Sequence, residues 1–242
     1  MMTLLATVLD AHGGLARWNQ FSTMTAHLAQ GGALWALKGK AGLLDAVDVT
    51  VGLRDEWASH APFGSDGRRS RFTPDRVSIE DAAGSTIEEL VDPRASFQAH
   101  TLETPWSDPQ LAYFAGCAMW TYLNMPFLLA YPGVETQEIE PWRDGDTVWR
   151  RLRATFAPGI ATHSRIQTLY VDADNLIARH DYDVEIAGST PGAHFLSDYV
   201  DVSGIKVPTR RRIFPRRPDG RPMPEPLVVS IDLSAITLSR GA

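Results

Sequence analysis

Between Ala178 and Ile186 the residues alternate with a period of two: Ala178, His180, Tyr182, Val184 and Ile186 fall on one side, Arg179, Asp181, Asp183 and Glu185 on the other. That is the signature of a strand with two unlike faces. The charged side is expected in solvent. The other side must be buried or line a cavity, and it brings an imidazole and a phenol with it. Such a pair can orient a bound molecule or move a proton near neutral pH. The next two stretches add to it. His194, Leu196, Asp198, Val200 and Val202 share a face, with Phe195, Ser197, Tyr199 and Asp201 opposite. In Ile205–Ile213 an inward row of Ile205, Val207, Thr209, Arg211 and Ile213 leaves Lys206, Arg210 and Arg212 outside. An inward Arg211 needs a partner, because an unpaired buried cation is costly. A ligand carboxylate or phosphate would serve, but Asp198 on the neighbouring strand is the expected one.

Ligand-binding candidates on these strands are therefore His180, Tyr182, His194, Tyr199 and Arg211. If there is catalysis, His180 or His194 is the acid or base, and Tyr182 or Tyr199 the auxiliary donor. Whether there is catalysis stays open. No Gly-x-Ser-x-Gly element, Walker loop or Rossmann fingerprint is present. His163, His180 and His194 have no metal-ligand spacing and no cysteine pair to complete a site, so no metal and no cofactor is expected. The one cysteine, Cys117, lies in an apolar stretch and reads as inert packing. Tyr113, Phe114, Trp120, Tyr122 and Phe127 form an aromatic row, expected mostly in the core and also a candidate for the roof of a pocket, with Trp120 and Phe127 as its ligand-binding candidates.

A chain of 242 residues, 44% hydrophobic and 21% charged, is long enough for a large core and too apolar for disorder. The formal charge of -6 gives no footprint for nucleic acid, although Arg210–Arg212 and Arg216-Arg217 make a local basic cluster, expected as a solvated sheet edge. Leu111–Tyr131 has no charge and is about the length of a membrane span, yet Gly116, Asn124 and Pro126 interrupt it. It is expected as a buried or lid-like helix, without stable membrane insertion. The first ten residues lack a basic n-region and Asp10 ends their apolar run, which reads as a mature cytoplasmic start.

The elements that position these groups are mostly strands. Val148–Phe156, Ser164–Val171, Ile177–Ile186, His194–Val202, Ile205–Phe214 and Leu227–Leu233 are separated by turn clusters such as Ser203-Gly204 and Pro218-Asp219-Gly220. Earlier strands are expected at Ser22–Gln30, Leu34–Leu37, Val47–Leu53, Arg71–Glu80 and Thr86–Leu90, with a hairpin loop over Ala58–Arg71 centred on Ser65-Asp66-Gly67. Residues 3–18 read as an amphipathic helix capped by Thr3. Ser107-Asp108-Pro109 starts a helix that runs to about Asn124, followed by a short piece to Tyr131. The proline-rich 216–226 stretch reads as an irregular hairpin loop. No repeat or linker divides the chain, so residues 1–242 are expected as one domain.

An N-terminal helix ending in Gly13-Gly14, a central helical segment and strands containing Leu169-Tyr170-Val171-Asp172, Ile177-Ala178-Arg179-His180-Asp181-Tyr182 and Val202-Ser203-Gly204-Ile205-Lys206-Val207-Pro208-Thr209 resemble the LolA/LolB superfamily of lipoprotein carriers. The resemblance covers most of the chain in element order. It implies a mainly β half-barrel: a curved antiparallel sheet or unclosed barrel with a central helical lid and an apolar cavity. It also implies an apolar or lipid-like ligand. Lipoprotein traffic is not implied, because an export signal and a lipobox cysteine are missing from the residues read. The first expectation is a cytoplasmic binding protein for an apolar small molecule. The alternatives are a cofactor-independent enzyme acting on a hydrophobic metabolite, and an interaction scaffold using a sheet edge. Oligomeric state is not legible.

Overall fold

The structure, a computed structural model, describes residues 2–65 and 67–241. Asp66 of the expected Ser65-Asp66-Gly67 loop, and Met1, lie outside the described residues. Thirteen strands form a single antiparallel sheet: β1 (Thr23–Gly31), β2 (Ala46–Gly52), β3 (Ala58–Ala61), β4 (Arg69–Phe72), β5 (Arg76–Glu80), β6 (Thr86–Val91), β7 (Val134–Asp144), β8 (Thr147–Phe156), β9 (Ile166–Val171), β10 (Ile177–Val184), β11 (Thr190–Val202), β12 (Ile205–Pro215) and β13 (Val229–Ser239). Their spatial order is β6-β5-β4-β3-β2-β1-β13-β12-β11-β10-β9-β8-β7. The sheet curves but does not close, so β6 and β7 are its edges.

Helix α1 (Leu4–Ala11) starts where the Thr3 side chain accepts from the Ala6 N–H, and α2 (Leu15–Trp18) follows after the glycine pair. Helix α3 (Ala33–Leu37) replaces the strand expected at Leu34–Leu37. Four apolar residues satisfy either period. Here the Ala33 and Leu34 N–H groups donate to the carbonyls of Leu227 and Val228, which turns the chain out of the sheet. The expected hairpin loop over Ala58–Arg71 contains strands β3 and β4, paired by Ala58 and Phe72. Strand β7 was not expected at all. It is an edge strand whose Glu135, Glu138, Glu140 and Pro141 leave it no apolar alternation.

The helix α4 (Asp108–Asn124) begins with a reciprocal capping box: the Gln110 N–H donates to Ser107 Oγ and the Ser107 N–H to Gln110 Oε1. It is buried all round, from Leu111 to Asn124. Of the two roles open to this segment, it takes the buried one and fills the concave side of the sheet. One flank packs on β2–β5. A Cβ at Gly116 would lie 2.4 Å from Phe72, so only glycine permits that approach. The other flank, with Phe114, Ala115, Ala118, Met119 and Tyr122 at helical spacing, faces β10–β13. Among the described residues no helix is long and apolar enough to cross a membrane.

The convex side differs from expectation. Arg179 and Asp181, expected in solvent, are 1% and 4% exposed. Arg179 donates from Nε and Nη2 to the Asp181 carboxylate at 2.6 and 2.7 Å. The Tyr170 hydroxyl donates to the same carboxylate at 2.9 Å. The rings of Tyr170, Phe195 and Trp142 lie 4.6, 5.5 and 5.9 Å from the guanidinium carbon. The 216–226 loop closes over the group: Arg216 pairs with Asp183 at 2.6 Å, and the Gly220 carbonyl accepts from Arg179. Arg216 is thus part of this cover, not a free solvated edge. A proline-rich loop laid back across the sheet supplies a carbonyl and an ion-pairing arginine that strand alternation cannot anticipate.

Candidate functional site

Strands β10, β11 and β12 run side by side, and their register sets the site. His180 pairs with His194, and His194 with Ile213; one row along, Leu196 pairs with Arg211, and Arg211 with Ile231. Cross-strand partners share a face. His180, Tyr182, His194 and Arg211 therefore all lie on the concave side, under the Tyr122 flank of α4. The two imidazoles stack with centroids 6.0 Å apart. The Tyr122 ring sits 4.5 Å from His194 and 5.4 Å from the Arg211 guanidinium carbon. Its hydroxyl is hydrogen-bonded to His163 Nε2 at 2.9 Å and to the Tyr182 hydroxyl. His180 donates from Nε2 to Gln167 Oε1 at 2.6 Å, and Gln167 donates in turn to the Ser164 carbonyl.

Burial dominates the electrostatics. It pulls His163 and His180 down to about 3 and His194 well below its ordinary value, and nearby Arg211 adds to the shift at His180 and His194. The Tyr122, Tyr182 and Tyr199 phenols are pushed up by the same desolvation. At neutral pH the cluster is uncharged apart from Arg211, which burial lowers only to about 10.

Arg211 is 1% exposed. It donates from Nη2 to the Tyr122 carbonyl at 3.0 Å, while Nε and Nη1 have no partner among the described residues. Both ring nitrogens of His194 are likewise unpartnered. The expected partner, Asp198, is not there. Asp198 takes a left-handed conformation with φ 57, which breaks the alternation of β11. Its carboxylate points to solvent and lies 3.9 Å from Arg210. The same break turns Tyr199 inward, where its hydroxyl donates to the Ile177 carbonyl and lies 3.4 Å from His12 Nε2.

Between α4 and β10–β13 a cavity of about 60 Å³ remains. Its walls are apolar: Trp35, Trp106, Phe114, Met119, Ile213 and Val229. Tyr122, His163 and Tyr182 line its polar end, and Gln30, Leu102, Val184, Thr190 and Val228 form a half-buried rim. Lys38 fixes part of that rim: its ammonium donates to the carbonyls of Thr101 and Thr104 at 3.2 and 3.1 Å and lies 4.7 Å from the Trp106 ring. The open hollow implied by the resemblance is thus largely filled by the side chains of α4. Room for a group of about two water volumes is left.

Of the candidates from sequence, the structure groups Tyr182, His180, His194, Arg211 and Tyr199. Trp120 and Phe127 lie elsewhere. Trp120 packs edge-on to Tyr131 at 6.1 Å, and Phe127 stacks on Trp18 at 4.3 Å beside a separate open cleft of about 420 Å³. The roof of the cavity is the Phe114–Tyr122 flank, whose two end residues belong to the expected aromatic row. Tyr122 belongs to the aromatic row and His163 to the histidine set of the sequence, but neither is among the ligand-binding candidates, and nothing in the sequence singles out Gln167. Tyr122 lies one helical turn beyond Ala118 on that flank, a spacing that could have singled it out. His163 sits in a loop, where no period applies. Cys117 donates to the Ala161 carbonyl at 3.3 Å, and burial pushes its thiol up. Among the described residues no group of three or more His, Cys, Asp or Glu is placed to hold a metal ion.

No protein-family model matches the sequence, and none of the curated proteins matches it. Solved structures do. A DUF1329 family protein from Desulfovibrio piger superposes with a TM-score of 0.56 at 13% identity, over 100% of this chain and 95% of that one. A LolA superfamily protein from Nitrosomonas europaea gives 0.55 at 11%, over 100% and 96%. A putative outer membrane lipoprotein-sorting protein domain from Vibrio parahaemolyticus gives 0.54 at 8%, over 98% and 93%. An unclosed antiparallel sheet wrapped on a central helix, matched along its whole length by these structures, gives the chain a LolA-like fold.

Proposed function

We propose that the protein binds an apolar or lipid-like small molecule between α4 and the concave face of β10–β13. The observation that carries this reading is the apolar cavity ending on Tyr122, His163 and Tyr182. Apolar walls with a few convergent polar groups are what ligand sites are built from. The lipoprotein-sorting description of one structural neighbour points the same way. At about 60 Å³ the cavity is smaller than drug-sized sites of roughly 300 Å³ or more, so a ligand must displace rim or roof side chains as it enters. Native mass spectrometry of protein purified from its own source should show a retained small molecule, and fluorescent fatty acids should bind. A bare protein mass together with no fatty-acid binding would overturn the reading.

Binding is favoured over proton transfer by the state of the histidines. An effective acid or base has a pKa near the working pH, whereas burial holds His163 and His180 at about 3. Strand addition at the sheet edges is disfavoured by Glu88 and Glu89 on β6 and by Glu135, Glu138 and Glu140 on β7.

A further inference from the structure

We propose that Arg211, with His194 beside it, is a binding subsite for an oxyanion: the carboxylate or phosphate head of the apolar ligand. This rests on the reading of the cavity given above and names the chemical class of what enters it.

The argument starts from what surrounds Arg211. The titratable groups facing it are Tyr122 from α4, His180 and Tyr182 from β10, and His194 and Tyr199 from β11. On β13 its cross-strand partner is Ile231. None of these carries a negative charge at neutral pH, and no salt bridge reaches Arg211 among the described residues. A guanidinium has five N–H donors. Here one nitrogen is partnered, by the Tyr122 carbonyl, and Nε and Nη1 are not. His194 adds a second fully buried group with no partner at either nitrogen. Both groups lie against the same Tyr122 ring, at 5.4 and 4.5 Å. Orphaned donors of this kind cost stability unless something accepts from them.

The cavity lies alongside. Ile231, directly across from Arg211, and Ile213, two residues along the same strand face, both line it. An alkyl chain lying on Ile213 and Ile231 would bring its terminal group to Arg211. An oxyanion there would accept from Arg211 in charge-assisted hydrogen bonds and from a His194 ring N–H. No bond is made or broken in this step. The free energy spent on keeping Arg211 unneutralised would be recovered when the ligand arrives, which gives selectivity for anionic over neutral chains.

The test uses the full chain and four probes: decanoate, decyl phosphate, decanol and inorganic phosphate. In calorimetric titration, wild-type protein should bind decanoate or decyl phosphate at least tenfold tighter than decanol. Arg211→Met should keep decanol binding and lose that preference, while Arg211→Lys, which retains the charge, should keep part of it. The stronger of the two anionic probes identifies the head group. Equal binding of decanol and both anions by wild type, or an unchanged preference in Arg211→Met, overturns the subsite and leaves the apolar site standing. If no alkyl probe binds, inorganic phosphate separates the two readings. A rise in melting temperature with phosphate in wild type but not in Arg211→Met supports the oxyanion subsite and removes only the apolar site. No rise removes both.

Discussion

Two arginines sit fully buried on opposite faces of the same sheet, one on β10 and one on β12, and they are built differently. On the convex face Arg179 meets a carboxylate two residues away on its own strand, three aromatic rings and a loop carbonyl. On the concave face Arg211 meets phenols, neutral imidazoles and one helix carbonyl. The first arrangement compensates the cost of desolvation inside the protein. The second leaves it standing. A fold that can pair a buried arginine internally has no structural reason to leave another unpaired a few strands away, which is why the concave cluster reads as a place for something else to bind.

The comparison can be broken in several ways. Acid should act first through the concave side. His163 and His180 have folded pKa values of about 3, below the ordinary 6.5, so the unfolded chain binds protons that the native state refuses. Their contribution is complete above about pH 6.5 and is lost as pH falls toward 3, by several kcal/mol in urea titrations at stepped pH. His163 or His180 signals that titrate near pH 6.5 in the folded protein would contradict this. Next, Asp181→Asn should strand Arg179 and cost about 3–5 kcal/mol, read from the shift in denaturation midpoint. A loss below about 1 kcal/mol would mean that the Gly220 carbonyl and the Tyr170 ring, not the carboxylate, offset most of the burial of Arg179.

Smaller effects sharpen the contrast. Arg211→Met should leave stability unchanged or raise it by about 1–2 kcal/mol, the opposite sign to Asp181→Asn, because no carboxylate is left behind. Tyr122→Phe should cost about 1–2 kcal/mol by removing the hydroxyl shared by His163 and Tyr182. Gly220→Ala should cost roughly 1 kcal/mol. Gly220 has φ 84, and an added Cβ would come 2.8 Å from the Trp142 ring, loosening the cover over Arg179 without touching the concave cluster.

Much of this was legible in the sequence. The capping residues at Ser107-Asp108-Pro109 placed α4, and the period of two in 178–186 put His180 and Tyr182 together on one face. What escaped were features set by neighbours distant in sequence. The solvent side of β10 is buried because a loop some forty residues later folds over it, Arg179 bonding to Gly220. Asp198 was assigned inward by strict alternation, and one left-handed residue reversed that and brought Tyr199 in instead. His163 reaches the site from an irregular loop. Strand β7 escaped for the opposite reason: an exposed edge has no apolar face to announce it.

The strand order has a kinetic consequence. Strands β1–β6 and β7–β13 are each an up-and-down meander whose members follow one another in the chain, and within the sheet the halves pair where β1 meets β13. That seam includes a hydrogen bond between residues 217 positions apart. Each meander can assemble from short hairpins, while the seam must wait for a very large loop to close. Refolding is therefore expected to end with one slow zipping event at β1–β13.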